Sequence, residues 1–173
     1  MLLRTFIKLS LFLLPALSLT VQAADPVAKA IIENNGIGFS RMEEGQVVAY
    51  DTVAAYDQHQ IVIADCRAHS VDYQGVTWCF SSADNAKSFQ DAAASGRNHY
   101  VPFGGGHCSL GLSVGNLVAR GDPRTAVRIG NLLVLNGNFD VRTRFLMDSE
   151  RNLDLARLRY EMALKDGSLA PNE

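Results

Sequence analysis

Along the chain, apolar and polar positions keep two different periods. "VDY", Gln74-Gly75 and "VTWCF" place apolar residues at every second position on either side of a two-residue turn. If Gln74-Gly75 closes a β-hairpin, Tyr73 pairs with Val76, Val71 with Trp78 and His69 with Phe80. His69, Val71, Tyr73, Val76, Trp78 and Phe80 then share one face, which must be the core face. A second hairpin follows from "AVRI", Gly130-Asn131 and "LLVL". Upstream, "GQVVAYDTVAAYD" is rich in β-formers and is expected to carry a strand. Helical spacing takes over elsewhere. Ser82 can cap "ADNAKSFQDAAA", with Ala86, Phe89 and Ala93 inward. Asp25-Pro26 opens "VAKAIIENN" as a short helix, and "NFDVRTRFLMDSERNLDLARLRYEMALKD" predicts one or two helices, restarted at Ser149. The pattern predicts an α+β fold: a small single domain with two β-hairpins packed against helices, and C-terminal helices.

The opening residues obey neither period. Arg4 and Lys8 precede an apolar stretch from Leu11 to Leu19, and Val21-Gln22-Ala23 supplies small residues for cleavage. A spanning helix needs about 20 apolar residues without such an exit, so residues 1–23 read as a signal peptide. The mature chain is expected to begin near Ala24 and to be periplasmic or secreted. No cysteine follows the leader until Cys66, which argues against a lipid anchor.

What remains is the length of one domain. The formal net charge is −2 with histidines neutral, and more negative still without Arg4 and Lys8. A mildly acidic chain gives no reason to expect nucleic acid as a partner. Beyond the leader no hydrophobic run is long enough for a membrane span in the mature chain.

Three cysteines in an oxidising compartment allow one internal disulfide and leave one thiol. On a straight hairpin strand Cys66 faces residue 83, four positions from Cys79, or ~13 Å away. A disulfide requires Cα atoms within about 7 Å, so Cys66 and Cys79 are not expected to bond to each other.

The densest chemistry lies in "PFGGGHCSLGLSVGN", residues 102–116, with five glycines, His107 and Cys108. A phosphate loop needs lysine and Ser/Thr after its last glycine and a buried strand before it, and neither is present. Gly111-Leu112-Ser113-Val114-Gly115 spells a nucleophile elbow, yet no histidine follows His107 to serve as its base. Ser113 therefore reads as a helix or turn residue. Cys108, His107, Cys79, Cys66 and His69 are all capable ligands for copper or zinc, without the C-x₂-C spacing of a zinc finger. Against this stands a plain packing role, with Cys108 a small buried residue at a helix start, His107 exposed, and His69 a packed histidine on the core face.

Four blocks taken together resemble the secreted branch of YHS-domain proteins. They are "VVAYDTVAAYD", "VDYQGVTWCFSSADNAKSF", "NHYVPFGGGHCSLGLSVGN" and "RGDPRTAVRIGNLLVLNGN". The resemblance spans residues 45–145 and implies a compact α+β domain whose glycines turn the chain into a helix, with Cys108 at the family's cysteine position. It also implies a link to metals, since the shorter YHS domain of copper-transporting ATPases is regarded as a metal-binding module. Thr52 stands where the family has proline, His107 replaces an aromatic residue, and Cys79 is displaced from the family's Phe-Cys.

The sequence thus divides into a signal peptide (1–23), an N-terminal extension (24–44), a YHS-like domain (45–145) and a C-terminal helix and tail (146–173). Two functions fit it. One is an exported domain binding a soft or borderline ion, copper or zinc, through Cys108 and His107 with Cys79 or Cys66. The other is a non-catalytic structural or protein-interaction domain without a metal, whose protein partner is unknown. No catalytic constellation of acid, base and nucleophile emerges, so an enzyme ranks third.

Overall fold

A computed structural model describes residues 31–169; the expected signal peptide, and residues 27–30 of the helix expected after Pro26, lie outside them. Strands come first and in pairs. β1 (Glu33–Asn34) turns at Asn35-Gly36 into β2 (Ile37–Gly38), and β3 (Ser40–Glu43) turns at Glu44-Gly45 into β4 (Gln46–Ala49). Both turns hold two successive residues at positive φ, the conformation that suits a tight hairpin. The helix predicted over "VAKAIIENN" is thus corrected at its described end: Asn35-Gly36 is a hairpin signal and outranks the helical spacing before it.

Expected register and observed register agree in β5 (Ser70–Tyr73) and β6 (Val76–Cys79). Tyr73 faces Val76, Val71 faces Trp78, and the Phe80 N–H donates to the His69 carbonyl at 2.9 Å. β2 joins β6 in parallel, giving a four-stranded sheet in the order β1-β2-β6-β5. The second predicted hairpin is present too, as β7 (Asp122–Ile129) and β8 (Leu132–Asn136), with a register shift between Asp122 and Val127.

Among the described residues five α-helices complete the α+β architecture. α1 (Thr52–Asp57) occupies half of the segment expected to carry a strand, which is confined to β4. Its cause is Asp51, an N-cap whose Oδ1 accepts from the Ala54 N–H at 2.9 Å. α2 (Ala83–Ala94) is capped by Ser82 as predicted, and α3 (Ser109–Ser113) follows the glycines. α4 (Phe139–Leu146) and α5 (Ser149–Asp166) show the restart at Ser149.

The core forms where α2 meets the predicted face of the hairpin. Phe89 is fully buried, and its ring centroid lies 5.2 Å from Trp78, 5.1 Å from Phe80 and 5.8 Å from Tyr73. Burying such aromatic surface is the largest single contribution a small domain has. Asp51 ties this core to α1 and α2. Its Oδ2 accepts from the Ser81 N–H at 2.7 Å, the Ser81 hydroxyl at 2.6 Å and Asn85 Nδ2 at 2.7 Å.

One prediction about the cysteines is overturned. Cys66 and Cys79 form a disulfide, with Cα atoms 4.7 Å apart. The offset computed for a straight strand does not apply, because β5 starts only at Ser70. Asp65 Oδ1 accepts from the N–H groups of Arg67 at 3.0 Å and Ala68 at 3.3 Å, and its carbonyl accepts from His69 at 2.9 Å. This aspartate turn folds Cys66 back beside β6, where the Asp65 N–H donates to the Phe80 carbonyl at 3.0 Å.

Candidate functional site

The glycine segment is built from conformations that side chains resist. Gly104, Gly105 and Gly106 have φ of 64°, 61° and 90°, winding a 3₁₀ turn over Phe103–Gly106 into a left-handed course. Their carbonyls are all used. Gly104 O accepts from the His107 N–H at 3.1 Å, Gly105 O from Ile32 at 2.7 Å and Gly106 O from Gly121 at 2.9 Å. A Cβ at Gly104 would meet Leu112 Cδ1 at 2.7 Å, so packing as well as φ demands glycine there. Gly121 is needed for a different reason: a Cβ would lie 2.5 Å from the Gly106 carbonyl and 2.6 Å from Leu135 Cβ.

This turn sends His107 and Cys108 in opposite directions. Both have extended backbone, with φ near −65° and ψ of 157° and 113°, and successive extended residues project to opposite sides. The His107 imidazole packs beside Tyr160 of α5, centroids 6.2 Å apart, and its Nδ1–H donates to the Gly104 carbonyl at 2.8 Å. His107 is buried, not exposed as the packing reading had it. Burial pushes its pKa below the ordinary imidazole value; the Gly104 bond works the other way, and the Arg120 charge adds to the lowering. Tyr160 is held as a neutral phenol, its pKa pushed up to about 12 by burial.

Cys108 caps α3 with its sulfur. Sγ accepts from the Gly111 N–H at 3.3 Å and the Gly137 N–H at 3.2 Å, and it faces Asn136 Oδ1 at 4.0 Å. The residue is only 4% exposed. Asn136 is fully buried at the end of β8, and its Oδ1 accepts from the Leu110 N–H at 3.1 Å. Asn136 Nδ2 and Ser109 Oγ are buried here without a partner among the described residues. Sequence reasoning missed Asn136, Gly137 and Tyr160. The abrupt change from "LLVL" to "NGN" was the available signal for the first two; Tyr160 gave none, being one residue in a helical heptad.

The four ligands offered by the sequence therefore do not converge. Cys66 and Cys79 are spent on each other in the disulfide and present no thiolate. Cys108 is enclosed by two N–H donors, and His107 lies on the opposite side of the chain. Among the described residues no three His, Cys, Asp or Glu side chains are grouped to hold an ion. The residues present do not fit a copper or zinc centre, which needs at least two or three converging donors. His69 is half-buried on the hairpin face, with its backbone in the ladder to Phe80. Among the described residues no helix is long and apolar enough to cross a membrane.

Compared with protein-family models, with curated proteins and with solved structures, the chain matches none.

Proposed function

We propose that the chain is an exported, YHS-like domain that acts as a non-catalytic protein-interaction module and does not carry a metal. The observation behind this reading is the setting of Cys108 Sγ. Two backbone N–H groups and the Asn136 amide surround it, which is how a buried thiol is satisfied as a structural group. The Cys66–Cys79 disulfide supports export, since such bonds persist in oxidising compartments. The resemblance to secreted YHS-domain proteins is supported by what its motifs build: Asp51 anchors α1 to α2, and the glycines lead into α3.

Titration with copper(I) and with zinc tests the reading on wild type, Cys108→Ser and His107→Ala, all with the disulfide intact. We expect no stoichiometric binding by the folded protein and no difference among the three. Tight binding lost in Cys108→Ser would overturn the proposal and restore the metal-associated domain.

A further inference from the structure

The sheet ends at β5, and the hairpin register decides which of its backbone groups are spent. Tyr73 and Val76 flank a two-residue turn, so they exchange hydrogen bonds directly, and the exchange recurs at every second residue. It recurs at Val71 with Trp78, and again at His69, whose carbonyl takes the Phe80 N–H. The N–H and C=O groups of Ser70 and Asp72 therefore point away from β6, and no described residue pairs with them.

Beside that edge runs a cleft of about 570 Å³ between β5 and α2. Val71, Ala83 and Ala86 supply small apolar surface, and Lys87 and Gln90 stand along the α2 wall. Among the described residues Lys87 Nζ is held only by Asp91, 2.8 Å away, with both side chains more than half exposed. Such a surface pair contributes little and exchanges readily for another carboxylate. Ala68 and His69, in the turn that the disulfide fixes, line the same cleft.

We propose that this cleft binds an extended peptide of a partner protein, added as a fifth strand on β5, with an acidic side chain directed to Lys87. The proposal rests on the interaction-module reading and says where that interaction takes place. Outward N–H and C=O groups on an edge strand are matched by another polypeptide backbone, and alternate side chains of an added strand enter the adjoining cleft. Alanines at positions 83 and 86 leave room for small apolar side chains. Asp72 also lines the cleft, its Oδ1 accepting from the Thr77 hydroxyl at 2.7 Å, and Lys87 is the lysine on the α2 wall that an acidic side chain would meet.

The test uses ¹⁵N-labelled protein and two synthetic probes, acetyl-Val-Thr-Asp-Thr-Val-amide, whose valines and aspartate share one face of an extended strand, and the same peptide with Lys for Asp. Expected are amide shifts concentrated at Ser70, Asp72 and Ala83–Gln90. The acidic probe should bind about fivefold tighter than the lysine probe, the range of one exposed ion pair. Lys87→Glu should reverse that preference. Ser70→Pro, which removes one outward N–H and leaves the β6 ladder intact, should weaken both probes equally. No shift at millimolar peptide, shifts elsewhere, or a preference unchanged in Lys87→Glu would overturn the proposal. Protection of Ser70 and Asp72 that grows with protein concentration and needs no peptide would also overturn it, in favour of a second copy of this chain. None of these failures touches the metal titration, so the broader reading can fall or stand separately.

Discussion

Replacing Cys108 by alanine separates a structural thiol from a functional one. The substitution removes the acceptor shared by the Gly111 and Gly137 N–H groups. A buried donor left without a partner costs about 1–3 kcal/mol, and losing the sulfur's apolar contacts adds about 1 kcal/mol. Gly137 is exposed and can recover water, so we take the lower range for it. The expected loss is about 3 kcal/mol, a large share of a stability of order 5–15 kcal/mol. Serine keeps an acceptor in nearly the same place and should cost about 1 kcal/mol. With an m-value of about 1.5 kcal/mol/M, the urea midpoint should fall by ~2 M for Cys108→Ala and by less than half of that for Cys108→Ser. Alkylation of native wild type by iodoacetamide should follow the rate of opening, since the thiol is enclosed. An alanine variant within about 0.5 kcal/mol of wild type, or serine costing more than alanine, would refute the reasoning.

Other consequences can be measured on the same scale. Replacing Cys66 and Cys79 together by alanine opens a loop of sequence separation 13 and should cost about 3 kcal/mol by chain entropy; an unchanged melting temperature would mean the bond is not formed. Gly121→Ala drives a Cβ into the Gly106 carbonyl and Leu135, and we expect a loss of about 3 kcal/mol or failure to fold. Wild-type stability would contradict that packing. For His107 the folded pKa is lowered by burial, so the unfolded chain binds the extra proton and stability falls as pH drops below about 6.5. The stability difference between wild type and His107→Gln should therefore be level above pH 7 and shift against wild type on acidification. A difference independent of pH from 7.5 to 5 would place the imidazole in water. Asp51→Ala strips the partner from four donors and should cost at least about 3 kcal/mol, read as a urea midpoint.

Strict alternation made the β5–β6 hairpin legible down to its register, because a shift of one residue would turn Trp78 and Phe80 to solvent. The Ser82 cap was equally local, read from the side chain next to the helix it starts; α5 does begin at Ser149, after Asp148, whose side chain makes no capping bond. What escaped was chemistry that interrupts a pattern. Asp51 converts a β-rich run into a helix, and Asp65 turns a presumed strand back on itself. In each case one carboxylate supplies backbone hydrogen bonds that periodicity does not register. The disulfide was missed by that route, since a four-residue offset means nothing once the chain bends at Cys66. Ligand convergence at His107 and Cys108 was suggested by adjacency in sequence. Extended backbone defeats it, because adjacency there puts side chains on opposite sides.

The conspicuous residues of this chain are accounted for by the demands of its own fold. Three left-handed glycines, a glycine against a carbonyl and a thiol between two amides are each fixed by a contact within the domain. Every carbonyl of Gly104, Gly105 and Gly106 has its donor, and the Nδ1–H of His107 and the sulfur of Cys108 have their partners. A group already satisfied gains little from a ligand, since binding must first break what folding made. Groups left unsatisfied by folding are the ones that a partner can reward. Among the described residues these include the outward backbone of Ser70 and Asp72, with a lysine beside them held only by a weak surface pair. Neither position stands out in the sequence, because backbone hydrogen bonding is open to nearly any residue. For this chain a rare residue marks a steric requirement, and the surface offered to a partner is written in ordinary ones.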